Sequence, residues 1–157
     1  QGLLTNGYQT SGNLFSLERG LTKDIQKIIR LEVAKYLMNF KDSEEGLITN
    51  WPNDYSLNGW LITMKSGGEL KPHMHEIGWL SGSIYINVPS KLKSSNGNLV
   101  VCLEEADLIS DSENYEKSID VNTGDLCLFP ASLLHYTIPF ESEEERIVLA
   151  FDVVPKY

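Results

Sequence analysis

The chain has 157 residues with 13 basic and 22 acidic side chains, a formal charge of −9, and 41% of its residues are apolar. A length near ~150 residues favours one domain, and no apolar run approaches the ~18 residues that a membrane-spanning helix needs. The first 41 residues hold six basic and three acidic side chains, so the acidic excess falls on the remainder; such a surface repels phosphate backbones, and no nucleic-acid partner is expected.

In chain order, Tyr8 to Phe15 reads as an extended arm. From Leu21 to Lys41, the apolar residues Ile25, Ile28, Ile29, Val33, Tyr36, Leu37 and Phe40 recur at three- and four-residue steps, the spacing of a helix with one buried face. Thr22 is the expected N-cap, with Asp24 in the first turn, where a negative charge suits the helix dipole. Residues 1–57 thus form an arm and helical support, and residues 58–157 the core of one domain.

After Asn58, short runs rich in β-branched and aromatic residues alternate with turn residues, which is an all-β pattern. The predicted strands are Trp60 to Lys65, Gly82 to Val88, Leu99 to Leu103, Ser118 to Val121, Leu126 to Phe129, Tyr136 to Ile138 and Arg146 to Val154, with turns at Gly67-Gly68, Asn96-Gly97 and Thr123-Gly124. Short, evenly punctuated strands suit a mainly β jelly-roll sandwich or barrel with the N-terminal helix packed on one outer face. Cys102 and Cys127 form no C-x-x-C pair and are expected as buried strand residues; without a secretory signal, a reducing cytoplasmic setting is the default. The chain begins at Gln1 and reads as a segment of a longer polypeptide.

The only histidines are His73, His75 and His135. An H-x-H pair on an extended segment directs both rings to one side, where a single ion can take both, and a third ligand from a distant strand would complete a facial set. Taken one at a time, His73 and His75 could equally be solvent-facing loop residues and His135 a hydrogen-bonded core histidine. Gly67 precedes His73-Met74-His75 by five intervening residues, and Gly124 precedes Pro130 by five and His135 by ten. These spacings resemble the two motifs of cupins, although Trp79 and Leu80 stand where the cupin glutamate is usual.

A second family fits more of the chain. The segments H-M-H-E-I-G-W-L-S-G-S-I-Y-I-N-V-P (73–89), G-D-L-C-L-F-P-A-S-L-L-H-Y-T-I-P (124–139) and E-E-R-I-V-L-A-F (144–151) resemble the 2-oxoglutarate/iron(II) oxygenase family, prolyl-hydroxylase-like in type. The opening G-Y-Q-T-S-G-N-L-F (7–15) and the helix after it are similar to members in which this domain follows tetratricopeptide repeats, which implies that the chain is the C-terminal domain of a larger repeat-containing protein.

The resemblance implies a cupin-like double-stranded β-helix with Fe(II) held by His73, His75 and His135, His75 standing where most of the superfamily has Asp or Glu. It also implies that Arg146, eleven residues after His135 and the only arginine after residue 30, binds the far carboxylate of 2-oxoglutarate, a role suited to a planar guanidinium fork. On its own, Arg146 reads as a surface residue paired with the Glu143-Glu144-Glu145 run. If residues 146–152 are extended, Arg146 shares a face with Val148 and Ala150, and Tyr85 and Ser83 share a face of a strand beside the metal loop, where either hydroxyl could contact the cosubstrate. Glu76 is the alternative third ligand, disfavoured because adjacent residues on an extended chain point to opposite sides. Trp60 and Trp79 are expected as packing residues, and the substrate-selecting loops as Asp54 to Leu57 and Leu108 to Glu116.

The expected function is a hydroxylase that uses O₂ and 2-oxoglutarate on a small-molecule or peptide substrate, releasing succinate and CO₂. The alternatives are a three-histidine cupin dioxygenase that does not use 2-oxoglutarate, and a barrel that binds metal without catalysis.

Overall fold

The computed structural model describes residues 2–17, 19–102 and 116–157. Leu103, the end of one predicted strand, and residues 108–115 of a predicted substrate-selecting loop lie outside them. The strands are β1 (Leu4–Gln9), β2 (Tyr55–His73), β3 (Leu80–Asn87), β4 (Leu99–Cys102), β5 (Glu116–Ile119), β6 (Leu126–Pro130), β7 (His135–Thr137) and β8 (Arg146–Pro155). They form one antiparallel sheet in the order β5-β4-β7-β2-β8-β3-β6, with β1 joined to β2 off that path. This is the expected mainly β architecture, with helix α1 (Gly20–Asn39) on the outside and a single further turn of helix, α2 (Gly46–Thr49).

Strand β8 organises the sheet because both of its faces are buried. Leu149, Phe151 and Val153 point outward and pack with Phe15, Ile29, Val33, Leu57 and Leu80, which closes α1 onto the sheet. The alternate residues Arg146, Val148 and Ala150 point inward and line a cavity, as the period of two in a strand requires. On α1 the buried face is narrower than the apolar spacing suggests: Ile29 and Val33 are buried, whereas Ile28 and Phe40 stay exposed.

Several local expectations change. The N-cap of α1 is Arg19, and Thr22 is the third helical residue; its hydroxyl oxygen accepts from the Arg19 backbone N–H at 3.3 Å. Asp24 lies past the first turn, which holds no acidic residue. The arm contains a true strand, β1, followed by a 3-10 turn at Leu14–Ser16, where the Asn13 side chain accepts from the Phe15 N–H at 3.0 Å and directs Phe15 into the core.

Gly67-Gly68 is not a turn but part of β2, which runs for 19 residues. Gly67 has φ of +75°, a conformation open mainly to glycine, and the pairing registers shift nearby, between Thr5 and Gly7 on β1 and between Leu70 and His73 on β2. The glycines therefore bend a continuous strand, whose first part pairs with β8 and whose end pairs with β7. Tyr55 to Leu57, expected in a substrate-selecting loop, begin β2 and pair with the end of β8. Cys102 and Cys127 lie in β4 and β6 as expected, but both are half-buried and free.

Candidate metal centre and its cavity

The bend in β2 delivers His73 opposite His135, its direct partner across the β2–β7 pair. His75 lies two residues beyond the end of β2, where its backbone N–H donates to the Ala131 carbonyl at 3.0 Å. The ring centroids are 5.1 Å apart for His73 and His75, 4.3 Å for His73 and His135, and 5.0 Å for His75 and His135. One nitrogen from each ring lies within 4.8 Å of the others.

The other nitrogens show which ones are free. His73 Nδ1 is 2.8 Å from the Lys71 carbonyl, His135 Nδ1 is 2.9 Å from the Leu133 carbonyl, and His75 Nδ1 is 2.6 Å from an Asp152 carboxylate oxygen. An oxygen acceptor places the hydrogen on Nδ1 and leaves the Nε2 lone pair available. Burial holds His135 neutral, pushing its pKa down to about 4, with smaller repulsions from His73 and His75, and burial also lowers His73. Three imidazoles that each offer one nitrogen to a common point are a donor set that fits a divalent first-row metal. Glu76 is exposed and outside the group.

The histidines line a cavity of about 460 Å³ whose wall also includes Ser83, Tyr85, Arg146 and Trp60. Trp60, expected as core or rim packing, lines the cavity, with its ring 5.6 Å from His75; the Trp79 indole N–H donates to the Leu47 carbonyl at 2.9 Å. Leu3 and Leu4 of the N-terminal segment close another side.

Arg146 is 3% exposed. One terminal nitrogen donates to the Gly97 carbonyl at 3.2 Å, made accessible where Gly97 takes φ of +71°, and the guanidinium lies 5.3 Å from the centre of the Tyr85 ring. Its Nε is buried without a hydrogen-bond partner. No described carboxylate forms an ion pair with it, and Glu143, Glu144 and Glu145 are exposed to solvent instead. Burial lowers the guanidinium pKa and raises that of the Tyr85 phenol. A buried guanidinium with an idle donor is costly unless an anion joins it, so the cavity is suited to a small carboxylate.

Sequence reasoning missed Asp152 and Ser81. These are direct partners across the β3–β8 pair, both buried, and Ser81 Oγ donates to the same Asp152 oxygen at 2.6 Å. The available signal was an aspartate inside the apolar run R-I-V-L-A-F-D-V-V-P, because a carboxylate in a buried strand requires a partner.

A family model described as "Putative 2OG-Fe(II) oxygenase" matches residues 58–152. Among solved structures, the chain is similar to a Pseudomonas putida prolyl-4-hydroxylase, with a TM-score of 0.61 and 13% identity over 96% of this chain and 72% of that one. It is also similar to HygX from Streptomyces hygroscopicus, solved with nickel and 2-oxoglutarate bound, with a TM-score of 0.60 and 12% identity over 98% of this chain and 72% of that one. At these identities the likeness is one of fold. No curated protein matches the chain.

Proposed function

This chain belongs to the 2OG-Fe(II) oxygenase family, and on that premise we propose that it is a hydroxylase in which His73, His75 and His135 hold Fe(II) and Arg146 holds 2-oxoglutarate. Together with O₂, the bound iron and 2-oxoglutarate supply the oxidising chemistry: one oxygen atom enters a substrate C–H bond, the other enters succinate, and CO₂ leaves. The substrate class is a small molecule or a peptide. The same reading takes residues 1–157 as one oxygenase domain, and the two free thiols suit a reducing cytoplasmic setting.

The chain's own residues bind, orient and exclude water. His73, His75 and His135 would hold the iron at one wall of the cavity, and the rest of the cavity would be left for cosubstrate and O₂. Arg146, in the same cavity, meets the far carboxylate of the dicarboxylate through a charge-assisted hydrogen bond from its idle Nε. Tyr85 and Ser83 present hydroxyls along the same strand face and fix the carboxylate's orientation. Val148 and Ala150, which stand on β8 between Arg146 and the His75 partner Asp152, are small enough to leave the intervening space open. The apolar walls keep competing water away from the reacting centre.

The observation that carries this reading is Arg146, buried in the histidine cavity without a carboxylate partner among the described residues. Anaerobic titration of the Fe(II)-loaded protein with 2-oxoglutarate tests it. Arg146→Ala should weaken binding about 30-fold to several thousand-fold, equivalent to ~2 to 5 kcal/mol for a broken buried charge pair, with Fe(II) binding nearly unchanged. Arg146→Lys should recover only part, since an ammonium brings the charge without the planar fork. Equal affinities in all three proteins would remove Arg146 from the site.

A further inference from the structure

The three histidines bring no carboxylate to the donor set, yet one is buried directly behind His75. Asp152 is 4% exposed and sits in an apolar strand. Its Oδ1 lies 2.6 Å from His75 Nδ1 and 2.6 Å from Ser81 Oγ, and Ser81 Oγ is itself 3.2 Å from His75 Nδ1. Among the described residues, no lysine or arginine forms an ion pair with Asp152; His75 is its only ionic neighbour. A buried carboxylate without a cation is strongly disfavoured, and the missing positive charge can come through His75 from an ion on the other ring nitrogen.

We propose that Asp152 is a positioning residue that acts through His75: it fixes the His75 ring with Nε2 toward the metal and supplies from behind the ring the negative charge that the three histidines lack. This rests on the metal reading given above. A carboxylate accepting the Nδ1–H raises the basicity of Nε2 and stabilises the cationic centre. Ser81 holds the carboxylate in place by donating to the same oxygen, and the cross-strand pairing of Ser81 with Asp152 makes that contact a consequence of sheet register. His73 and His135 rest on uncharged backbone carbonyls, so among the three ligands His75 alone has a charged partner.

The test is a double-mutant cycle read by Co(II) binding to the metal-free full chain at fixed pH, with no turnover involved. Asp152→Asn keeps the shape and removes the charge, and should weaken Co(II) binding about 10- to 100-fold. In a His75→Asp background the ring that Asp152 acts through is gone, so Asp152→Asn should change the affinity less than about 3-fold. A general structural role would weaken binding equally in both backgrounds, and that result overturns the proposal. So does an unchanged affinity in Asp152→Asn while wild type binds Co(II). Failure of wild type itself to bind Co(II), Zn(II) or Fe(II) would instead overturn the metal reading beneath it. Should Asp152→Asn not fold, proton NMR of the Zn(II)-loaded wild type decides: the His75 Nδ1–H should resonate far downfield and resist exchange, and a rapidly exchanging proton there overturns the proposal.

Discussion

His135 combines burial, a backbone acceptor on Nδ1 and two neighbouring imidazoles, so its pKa falls to about 4, chiefly through desolvation. That value has a consequence for stability. An unfolded histidine titrates near ~6.5; between that pH and 4 the unfolded chain takes up a proton that the folded, metal-free protein refuses. Stability therefore falls as pH drops through this window and is unaffected by His135 above it, with a total on the order of 3 kcal/mol. His73 shifts in the same direction and for the same first cause. Urea unfolding of the metal-free protein between pH 7.5 and 4 should show this loss, and His135→Asn should flatten the slope; an identical slope in the variant would contradict the assignment. In the folded protein the His135 ligand nitrogen stays unprotonated until pH approaches 4, so its protonation should weaken metal binding only near that pH.

At the scale of elements, the site is a product of strand register more than of loop shape. His73 faces His135 because β2 pairs with β7, Ser81 faces Asp152 because β3 pairs with β8, and Arg146 shares a face with Val148 and Ala150 because β8 is extended. The support behind this arrangement is α1, whose Ile29 is fully buried against the outward face of β8. Ile29→Ala should cost ~2 to 5 kcal/mol, the range for truncating a buried aliphatic side chain, in urea unfolding of the metal-free protein; a loss below about 1 kcal/mol would mean that α1 does not pack as described. The alternation of β8, the helical spacing of α1 and the H-x-H pair were legible in the sequence because each depends on residues close together in the chain. Arg146 was legible as a cavity residue only through its place after His135, since the adjacent glutamates offered a local partner that the folded protein does not use. Asp152 was not legible, because its meaning depends on His75 and Ser81, 77 and 71 residues away. Gly67 misled for a physical reason: a positive φ serves a bend within a strand as well as a turn between strands.

For the whole molecule, the formal charge of −9 opposes the approach of a dicarboxylate. At physiological ionic strength, screening over about 8 Å weakens that long-range field, so affinity must come from short-range contacts inside the cavity. Arg146 brings a buried cation to that cavity, and β1, paired to β2, carries Leu4 into its wall. The fold thus places a neutral metal-binding group and a lone buried cation in one enclosed space, with a buried carboxylate behind the metal-binding group. Iron and 2-oxoglutarate are proposed to bind together in that space. The most direct measurement is the visible spectrum of the anaerobic Fe(II)-loaded protein as 2-oxoglutarate is added. A new charge-transfer band should appear and saturate, be lost in Arg146→Ala at the same cosubstrate concentration, and decay with formation of succinate when O₂ is admitted. A wild-type protein that binds Fe(II) but develops no band and forms no succinate would contradict that proposal.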